Sequence, residues 1–232
     1  MLYVGGLIKK MNSDRVTAAV LAGGGSTRMG QDKALLKLGN KTMIERVVIP
    51  LQGVFKNILV VTNEPEKYNM LKNVKFVSDC VKTKEKSSLI GLYSGLKQSK
   101  TSHIFAIGCD MPFVNTGFVK YMVESLKDED VVVPFCSDGL IESTATLPKN
   151  KDLTAPPARE YYQPLHAIYG KGCIPEFEKL LGKGCYKIAN IFENVNTKKI
   201  TEEEIKRFDS YMLCFKNINT YEEYLQAKHS FE

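Results

Sequence analysis

The chain has 232 residues, of which 44% are hydrophobic and 25% are charged, and its formal net charge at pH 7 is +6. This length suits one domain with a sizeable core, and this composition excludes a disordered or fibrous chain. No apolar run approaches the ~18 residues of a membrane span, and no basic stripe interleaved with aromatic residues indicates nucleic acid. We therefore expect neither partner, and a polyanionic small substrate accounts for the charge.

The six cysteines show no CxxC spacing, and no histidine lies near enough in sequence to complete a zinc site. We interpret them as free thiols of a cytoplasmic protein. Apolar residues near the N-terminus are followed, rather than preceded, by lysines, so we expect no signal peptide. We expect a loosely held extension over residues 1–14 and a single domain over residues 15–232.

The first predicted element is a buried strand over residues 16–21, which leads into three glycines at residues 23–25. Successive glycines allow backbone N–H groups to converge on an anion. Arg28 and Lys33 add the positive charge that a polyphosphate needs. The stretch therefore predicts a nucleoside triphosphate site.

Spacing excludes the two common phosphate loops from this stretch. A Walker A loop would continue from Gly30 with Lys and Ser or Thr, but Gln31 and Asp32 follow. A dinucleotide fingerprint requires glycine where Arg28 stands. A glycine-rich turn with solvated basic residues is the alternative interpretation.

Short apolar strands then alternate with amphipathic helices. The predicted strands are 58–62, 75–78, 104–108 and 131–135, and the predicted helices begin near Thr42, Ser87 and Thr116. Pro50 should shorten or bend the first of these helices. This alternation predicts an α/β fold with a doubly wound, mostly parallel sheet and helices on both faces.

Four suggestive residues follow the predicted strands directly: Gly23, Asn63, Asp79 and Asp110. In doubly wound sheets, ligands bind beyond the carboxyl ends of the strands. We therefore expect these four residues to share one pocket. Asp110 is the strongest metal candidate, because Mg²⁺ prefers oxygen ligands and needs only one or two carboxylates. An aspartate that caps a turn has the same sequence pattern.

The alternation stops between residues 136 and 160, where serine, threonine, proline and lysine dominate, and we predict a loop insertion there. Beyond it we predict strands over 161–169 and 211–215, helices over 174–181 and 187–193, and capping boxes at Thr201 with Glu204 and at Thr220 with Glu223. We interpret His166 as a satisfied core or pocket residue rather than a catalytic base. Cys109 is interpreted as a packing residue.

The stretch LAGGGSTRMGQDKALL, from Leu21 to Leu36, resembles the signature LAGGxSxRMGxDKxLL of the molybdenum cofactor guanylyltransferases, a family of nucleotidyltransferases. The motif CDMP around Asp110 resembles their second signature. The resemblance implies magnesium binding by Asp110 and catalytic roles for Arg28, Lys33 and Asp110. It implies nucleotide binding by Leu21, Ala22, Gly23, Gly24, Lys33, Asn63, Asp79 and Asp110.

Two later motifs, QPLHAIY and NINT, resemble the second half of the same family, where the pterin acceptor is expected. The resemblance implies acceptor binding by Gln163, Pro164, Asn217 and Asn219. The chain departs from the family at Ser87 and Ser88, where Gly-Pro is usual.

The activity that this resemblance implies is transfer of GMP from GTP to molybdopterin carrying molybdenum, with release of pyrophosphate. Implied partners are GTP, the molybdopterin acceptor, and molybdoenzymes or their chaperones. Transfer of CMP to the same pterin, nucleotidyl transfer to a sugar or polyol phosphate, and a non-catalytic nucleotide-binding chaperone are the alternatives. Gly24 favours guanylyl transfer, because cytidylyl relatives more often read LAAG.

Overall fold

The computed structural model describes residues 14–23, 32–83, 85–137 and 160–231. Predictions for the N-terminal extension, for Gly24 and Arg28, and for most of the loop insertion fall outside the described residues.

One sheet organises the described part of the chain. Its strands are β1 (Val16–Leu21), β4 (Ile58–Val61), β5 (Lys75–Val77), β6 (His103–Gly108), β7 (Val131–Ser137), β8 (Glu160–Tyr162), β9 (His166–Gly170) and β10 (Thr197–Ile200), while β2 (Lys37–Leu38) and β3 (Lys41–Thr42) form a separate small hairpin. The order is β10-β7-β9-β6-β1-β4-β5, with β8 paired to β7. Four pairs are parallel: β1 with β4, β1 with β6, β4 with β5, and β7 with β10. Three pairs are antiparallel: β9 with β6, β9 with β7, and β8 with β7. The prediction of a mostly parallel α/β sheet is confirmed.

The central strands are buried on both faces, which explains their continuous apolar sequences. Along β1, Ala18 and Val20 pack into one core and Ala19 and Leu21 into the other. The helices are α1 (Met43–Gln52), α2 (Ser88–Gln98), α3 (Thr116–Ser125), α4 (Ile174–Gly182), α5 (Glu202–Lys206) and α6 (Tyr221–His229). Helices α1 and α3 cover the first face, and α2 and α4 cover the second.

Local capping signals determine where several helices begin. Thr42 and Glu45 form a capping box at α1, and the predicted boxes at Thr201 and Thr220 begin α5 and α6. Helix α1 continues for two residues beyond Pro50, so that proline does not end it. None of the described helices is long and apolar enough to cross a membrane.

The second half of the chain corrects three predictions. The predicted strand 161–169 is two strands, β8 and β9, separated by a turn in which His166 N donates to Gln163 O at 3.1 Å. Pro164 lies in this turn, where its missing N–H costs no ladder hydrogen bond. The predicted helix 187–193 is only a 3₁₀ turn, Ile188–Ile191.

The predicted strand 211–215 is also wrong. Met212 adopts a left-handed conformation with φ 51°, and a 3₁₀ turn, Leu213–Phe215, follows. Asp209 enforces this turn, since its carboxylate accepts from Cys214 N at 2.8 Å and its carbonyl accepts from Met212 N at 3.0 Å. Strand β10 was not predicted, because its four residues are too few to show a pattern and only Ile200 is buried.

Candidate active site

A cleft of about 1070 Å³ lies at the carboxyl ends of β1, β4, β5 and β6. The four residues that follow these strands, Gly23, Asn63, Asp79 and Asp110, all line it, as do Leu21, Ala22 and Lys33. Parallel strands bring these residues together because their carboxyl ends meet at the same edge of the sheet. The cleft therefore lies where ligands bind in doubly wound sheets.

Asp110 and Lys33 bring opposite charges together in this cleft. Lys33 Nζ lies 3.9 Å from Asp110 Oδ2, and the two side chains are 13% and 28% exposed. Burial raises the pKa of Asp110, and the positive charge of Lys33 opposes that rise. A Cβ at Gly108 would lie 2.5 Å from Asp110 Oδ1, so a side chain at that position would displace the carboxylate.

The C-terminal segment ties Lys33 to Asp110. Lys33 Nζ donates to Ile218 O at 3.2 Å and to Asn219 Oδ1 at 3.0 Å. Ile218 N in turn donates to Asp110 O at 2.9 Å. Glu223, in the capping box of α6, accepts from Asn219 N at 2.5 Å. The start of α6 therefore fixes the direction of the lysine side chain.

Asn63 and Asp79 form a reciprocal pair across the ends of β4 and β5. Asn63 Nδ2 donates to Asp79 Oδ2 at 2.8 Å, and Asp79 N donates to Asn63 Oδ1 at 2.9 Å. The two bonds fix the amide and the carboxylate relative to each other, and both side chains face the cleft. The other carboxylate oxygen, Asp79 Oδ1, accepts no hydrogen bond from any described residue. It is therefore available as an acceptor for a ligand in the cleft.

A second cleft of about 720 Å³ adjoins the first, and Ser87, Ser88 and Leu165 line both. Pro164 lines the second cleft, but Gln163 lines neither cleft and donates its backbone N–H to Pro134 O at 3.0 Å. The four predicted acceptor residues are therefore not one group in this structure. Asn219 lines the first cleft beside Lys33, and Asn217 is exposed and lines neither cleft.

Ser87 has a structural role at the position where the chain departs from the family motif. Its hydroxyl oxygen accepts from Leu89 N at 3.1 Å and so caps α2. The helix therefore begins normally without the usual Gly-Pro.

His166 lies in the core rather than in either cleft. Its ring is 5.1 Å from Phe105 and 5.1 Å from Phe215, and neither ring nitrogen has a hydrogen-bond partner among the described residues. Burial lowers the pKa of His166 to about 3, so the imidazole is neutral. The interpretation as a core residue is confirmed, but the expectation of satisfied hydrogen bonding is wrong.

Cys109 packs against the core beside Asp110, and burial raises the pKa of its thiol. A protonated, buried thiol is a poor nucleophile. All six cysteines are free, as the sequence predicted.

Sequence reasoning missed several residues that line the first cleft, among them Tyr68, Lys82 and Lys86. All three lie in the connections that follow β4 and β5. The rule that ligands bind beyond the carboxyl ends of the strands was applied only to the first residue after each strand. Applied to the whole of each connection, it would have included these three residues. Lys82 and Lys86 are exposed and have no ion-pair partner among the described residues.

The residues present fit a loosely held divalent ion rather than a caged one. In the described part of the chain, no group of three His, Cys, Asp or Glu side chains is placed to hold a metal. Mg²⁺ does not need such a cage, because it keeps several waters and binds through one or two carboxylates together with substrate phosphates. The partly exposed carboxylate of Asp110 meets that requirement.

Known proteins resemble the chain over most of its length. The family model described as MobA-like NTP transferase domain matches residues 18–198. A protein from Natranaerobius thermophilus, named probable molybdenum cofactor guanylyltransferase, is 32% identical over 93% of this chain and 96% of its own length. A molybdenum cofactor guanylyltransferase from Desulfosudis oleivorans is 29% identical over 93% of this chain and 95% of its own.

A solved structure also shares the fold. Molybdopterin-guanine dinucleotide biosynthesis protein A from Archaeoglobus fulgidus superimposes with a TM-score of 0.71, covering 92% of this chain and 97% of that one, at 23% sequence identity.

Proposed function

The chain belongs to the family of MobA-like NTP transferases and is a nucleotidyltransferase, and we propose that it transfers GMP from GTP to molybdopterin carrying molybdenum. The products are molybdopterin guanine dinucleotide and pyrophosphate. The observation that carries this proposal is the meeting of Lys33 and Asp110 in a strand-end cleft, in a chain whose full-length relatives are named guanylyltransferases.

The reaction needs positioning and charge neutralisation more than covalent help from the protein. An oxygen of the acceptor's terminal phosphate attacks the α-phosphorus of GTP, and the bond from that phosphorus to the departing pyrophosphate breaks. Lys33 Nζ has three N–H donors and gives two of them to Ile218 O and Asn219 Oδ1, which leaves one for a phosphate oxygen. No covalent enzyme intermediate is required, and the half-buried thiol of Cys109 stays protonated, which makes it a poor nucleophile.

Asp110 is the residue that would hold Mg²⁺. The ion, when bound, supplies positive charge to the α-phosphate and to the departing pyrophosphate. Asp110 contributes a carboxylate that Lys33 helps to keep ionised, and its backbone bond to Ile218 fixes its place at the end of β6. Arg28 is proposed as a further cation for the pyrophosphate, and Gly24 as part of the phosphate-binding loop, both on the signature that they share with the family.

Asn63 and Asp79 are proposed to recognise the base. Guanine presents N–H donors at N1 and N2, and the free Oδ1 of Asp79 offers an acceptor. Cytosine presents one amino group on the same edge, so the preference of this pair for guanine is part of the proposal. Leu21, Ala22 and Gly23 bring backbone groups to the same cleft.

The second cleft is proposed to receive the acceptor, because it adjoins the first and is lined by Pro164. Gln163, Asn217 and Asn219 remain proposed acceptor residues on the family motifs alone. Six free thiols support a reducing cytoplasmic location. Delivery of the product to molybdoenzymes or their chaperones is part of the proposal.

Pyrophosphate release separates this function from its competitors. The enzyme is incubated with Mg²⁺, the molybdopterin acceptor and either GTP or CTP. Release with GTP alone supports guanylyl transfer, and release with CTP alone establishes the cytidylyl activity instead. Nucleotide binding that raises the melting temperature, without release in any combination, excludes transfer to the pterin. A repeat with sugar and polyol phosphates as acceptors then distinguishes transfer to those phosphates from a non-catalytic binding protein.

A further inference from the structure

Tyr68 has an unusual place at the edge of the first cleft. It ends the 3₁₀ turn Pro65–Tyr68 that follows β4, and it is only 3% exposed although it lines the cleft. Its hydroxyl donates to Asp32 Oδ2 at 3.2 Å. Burial, with the Asp32 charge beside it, raises the pKa of Tyr68, so the hydroxyl stays protonated and remains a donor.

Asp32 uses its other oxygen to begin the turn that carries Lys33. Asp32 Oδ1 accepts from Ala34 N at 3.1 Å and caps the 3₁₀ turn Lys33–Leu35. Lys67 Nζ lies 3.8 Å from the same oxygen that Tyr68 contacts, but that lysine is exposed and its closer partner is Glu64, at 2.6 Å. A short polar side chain that caps a turn is common. A buried tyrosine that donates to the second oxygen of such a carboxylate, as Tyr68 does to Asp32 Oδ2, is not explained by capping.

We propose that Tyr68 is a positioning residue, whose hydroxyl orients Asp32 and thereby fixes the turn that presents Lys33 to the phosphates. Tyr68 donates to Asp32, and Asp32 caps the 3₁₀ turn Lys33–Leu35. From that turn, Lys33 donates to Ile218 and Asn219, and its ammonium group lies 3.9 Å from Asp110. The inference rests on the proposed function, because the phosphate role of Lys33 does.

The same connection joins the two halves of the donor site. Tyr68 belongs to the segment that begins at Asn63, which is paired with Asp79 at the nucleoside end. Asp32 belongs to the segment that presents Lys33 at the phosphate end. One tyrosine–carboxylate bond therefore keeps the nucleoside and phosphate ends at a fixed separation.

The structure supplies a matched control for this bond. Tyr93 is also almost fully buried, at 5% exposure, and its hydroxyl also donates to a carboxylate, Glu178 Oε1, at 2.7 Å. Tyr93 lines neither cleft. Tyr93→Phe and Tyr68→Phe thus each remove a buried tyrosine's hydroxyl that donates to a carboxylate. The Tyr93 hydroxyl also accepts from Lys97 Nζ at 2.6 Å, so Tyr93→Phe removes at least as many hydrogen bonds, and only the Tyr68 bond adjoins Lys33.

The test measures kcat for transfer and, separately, the Kd of the magnesium–nucleotide complex by calorimetry. We expect Tyr68→Phe to lower kcat about tenfold and weaken nucleotide binding about threefold, because a hydrogen bond to a charged group is lost while the ring remains. Tyr93→Phe should change neither quantity by more than about twofold. Equal effects of the two variants, or no effect of Tyr68→Phe, would overturn the inference.

A double-mutant cycle with Asp32→Ala tests the path of the effect. If Tyr68 acts through Asp32, adding Tyr68→Phe to Asp32→Ala changes kcat by less than about twofold. Multiplicative losses would show that the hydroxyl acts independently and would overturn the inference. The cycle is run with whichever nucleoside triphosphate the wild-type protein uses, and Kd does not depend on turnover. CMP transfer by the wild type would therefore defeat the proposed function and leave this test intact.

Discussion

The ammonium group of Lys33 lies 3.9 Å from Oδ2 of Asp110, at the carboxyl ends of two adjacent parallel strands. Lys33 lies in the connection after β1, and Asp110 directly follows β6. The register of these strands, with Leu21 opposite Gly108, is what brings the two charges to one place. We propose that a phosphate bound beside this pair contacts the Lys33 ammonium directly and lies next to the carboxylate that would hold a divalent ion.

Removal of the lysine charge should therefore impair transfer much more than binding of the acceptor. We expect Lys33→Met to lower kcat/KM for GTP on the order of a hundredfold or more, because a fixed cation beside the reacting phosphate is lost. Lys37→Met is the control, since Lys37 is exposed and lines neither cleft. Similar losses in both variants would contradict a specific role for Lys33.

Asn219 should affect the same step, through the direction of the Lys33 side chain. Asn219→Ala removes one of the two hydrogen-bond acceptors that hold Nζ, and we expect roughly a fivefold fall in kcat. Asn57→Ala is the control, because Asn57 is exposed and precedes β4 at the opposite edge of the sheet. A change confined to KM for the acceptor would instead place Asn219 in acceptor binding.

The pair Asn63 and Asp79 should determine base selectivity. We expect Asp79→Ala to reduce the preference for GTP over CTP about tenfold, because a hydrogen bond to a charged group contributes about 1.5–3 kcal/mol. Competition between the two nucleotides in a binding assay measures that ratio directly. An unchanged ratio, with both nucleotides weakened equally, would remove these residues from base recognition.

His166 should make the folded protein sensitive to acid. Its pKa is lowered to about 3 in the folded state and is near 6.5 when unfolded, so the unfolded state binds the extra proton first as pH falls. Stability from the neutral imidazole is therefore fully present above about pH 6.5 and is lost progressively between pH 6.5 and 3. This one group should cost about 2 kcal/mol of unfolding free energy between pH 7 and pH 5.

His166→Leu should abolish that contribution, and it should also remove two buried nitrogens that lack partners among the described residues. Chemical denaturation of both proteins at pH 7 and pH 5 gives the comparison. The variant should lose about 2 kcal/mol less than the wild type over this interval. Parallel losses would mean that His166 is not the acid-sensitive group.

Much of the fold could be predicted from local sequence. Strand β1 has the predicted bounds, the predicted capping boxes at Thr201 and Thr220 begin their helices, and α1 begins after the predicted cap Thr42, because apolar runs and caps act over a few residues. Gly23, Asn63, Asp79 and Asp110 share a cleft because the strand-end rule needs only the order of strands and helices.

Contacts between distant segments could not be predicted in this way. The bonds of Lys33 to Ile218 and Asn219, and of Tyr68 to Asp32, depend on where the C-terminal segment and the turn after β4 pack. The prediction of a strand over 211–215 was wrong for a similar reason. The Asp209 carboxylate accepts from Cys214 N and so bends an apolar segment that has the sequence pattern of a strand.

The proposed role of Asp110 in GMP transfer is measured by comparing the variant Asp110→Asn with the wild type. Both proteins are incubated with GTP, Mg²⁺ and the molybdopterin acceptor, and the dinucleotide product and pyrophosphate are quantified together. Asp128→Asn is the control, since Asp128 is exposed and lies away from both clefts.

We expect the wild type and Asp128→Asn to form the dinucleotide and pyrophosphate in a 1:1 ratio and at the same rate. Asp110→Asn should give less than about 1% of that rate, because the carboxylate proposed to hold the metal is gone. Near-normal GMP transfer by Asp110→Asn would contradict the account.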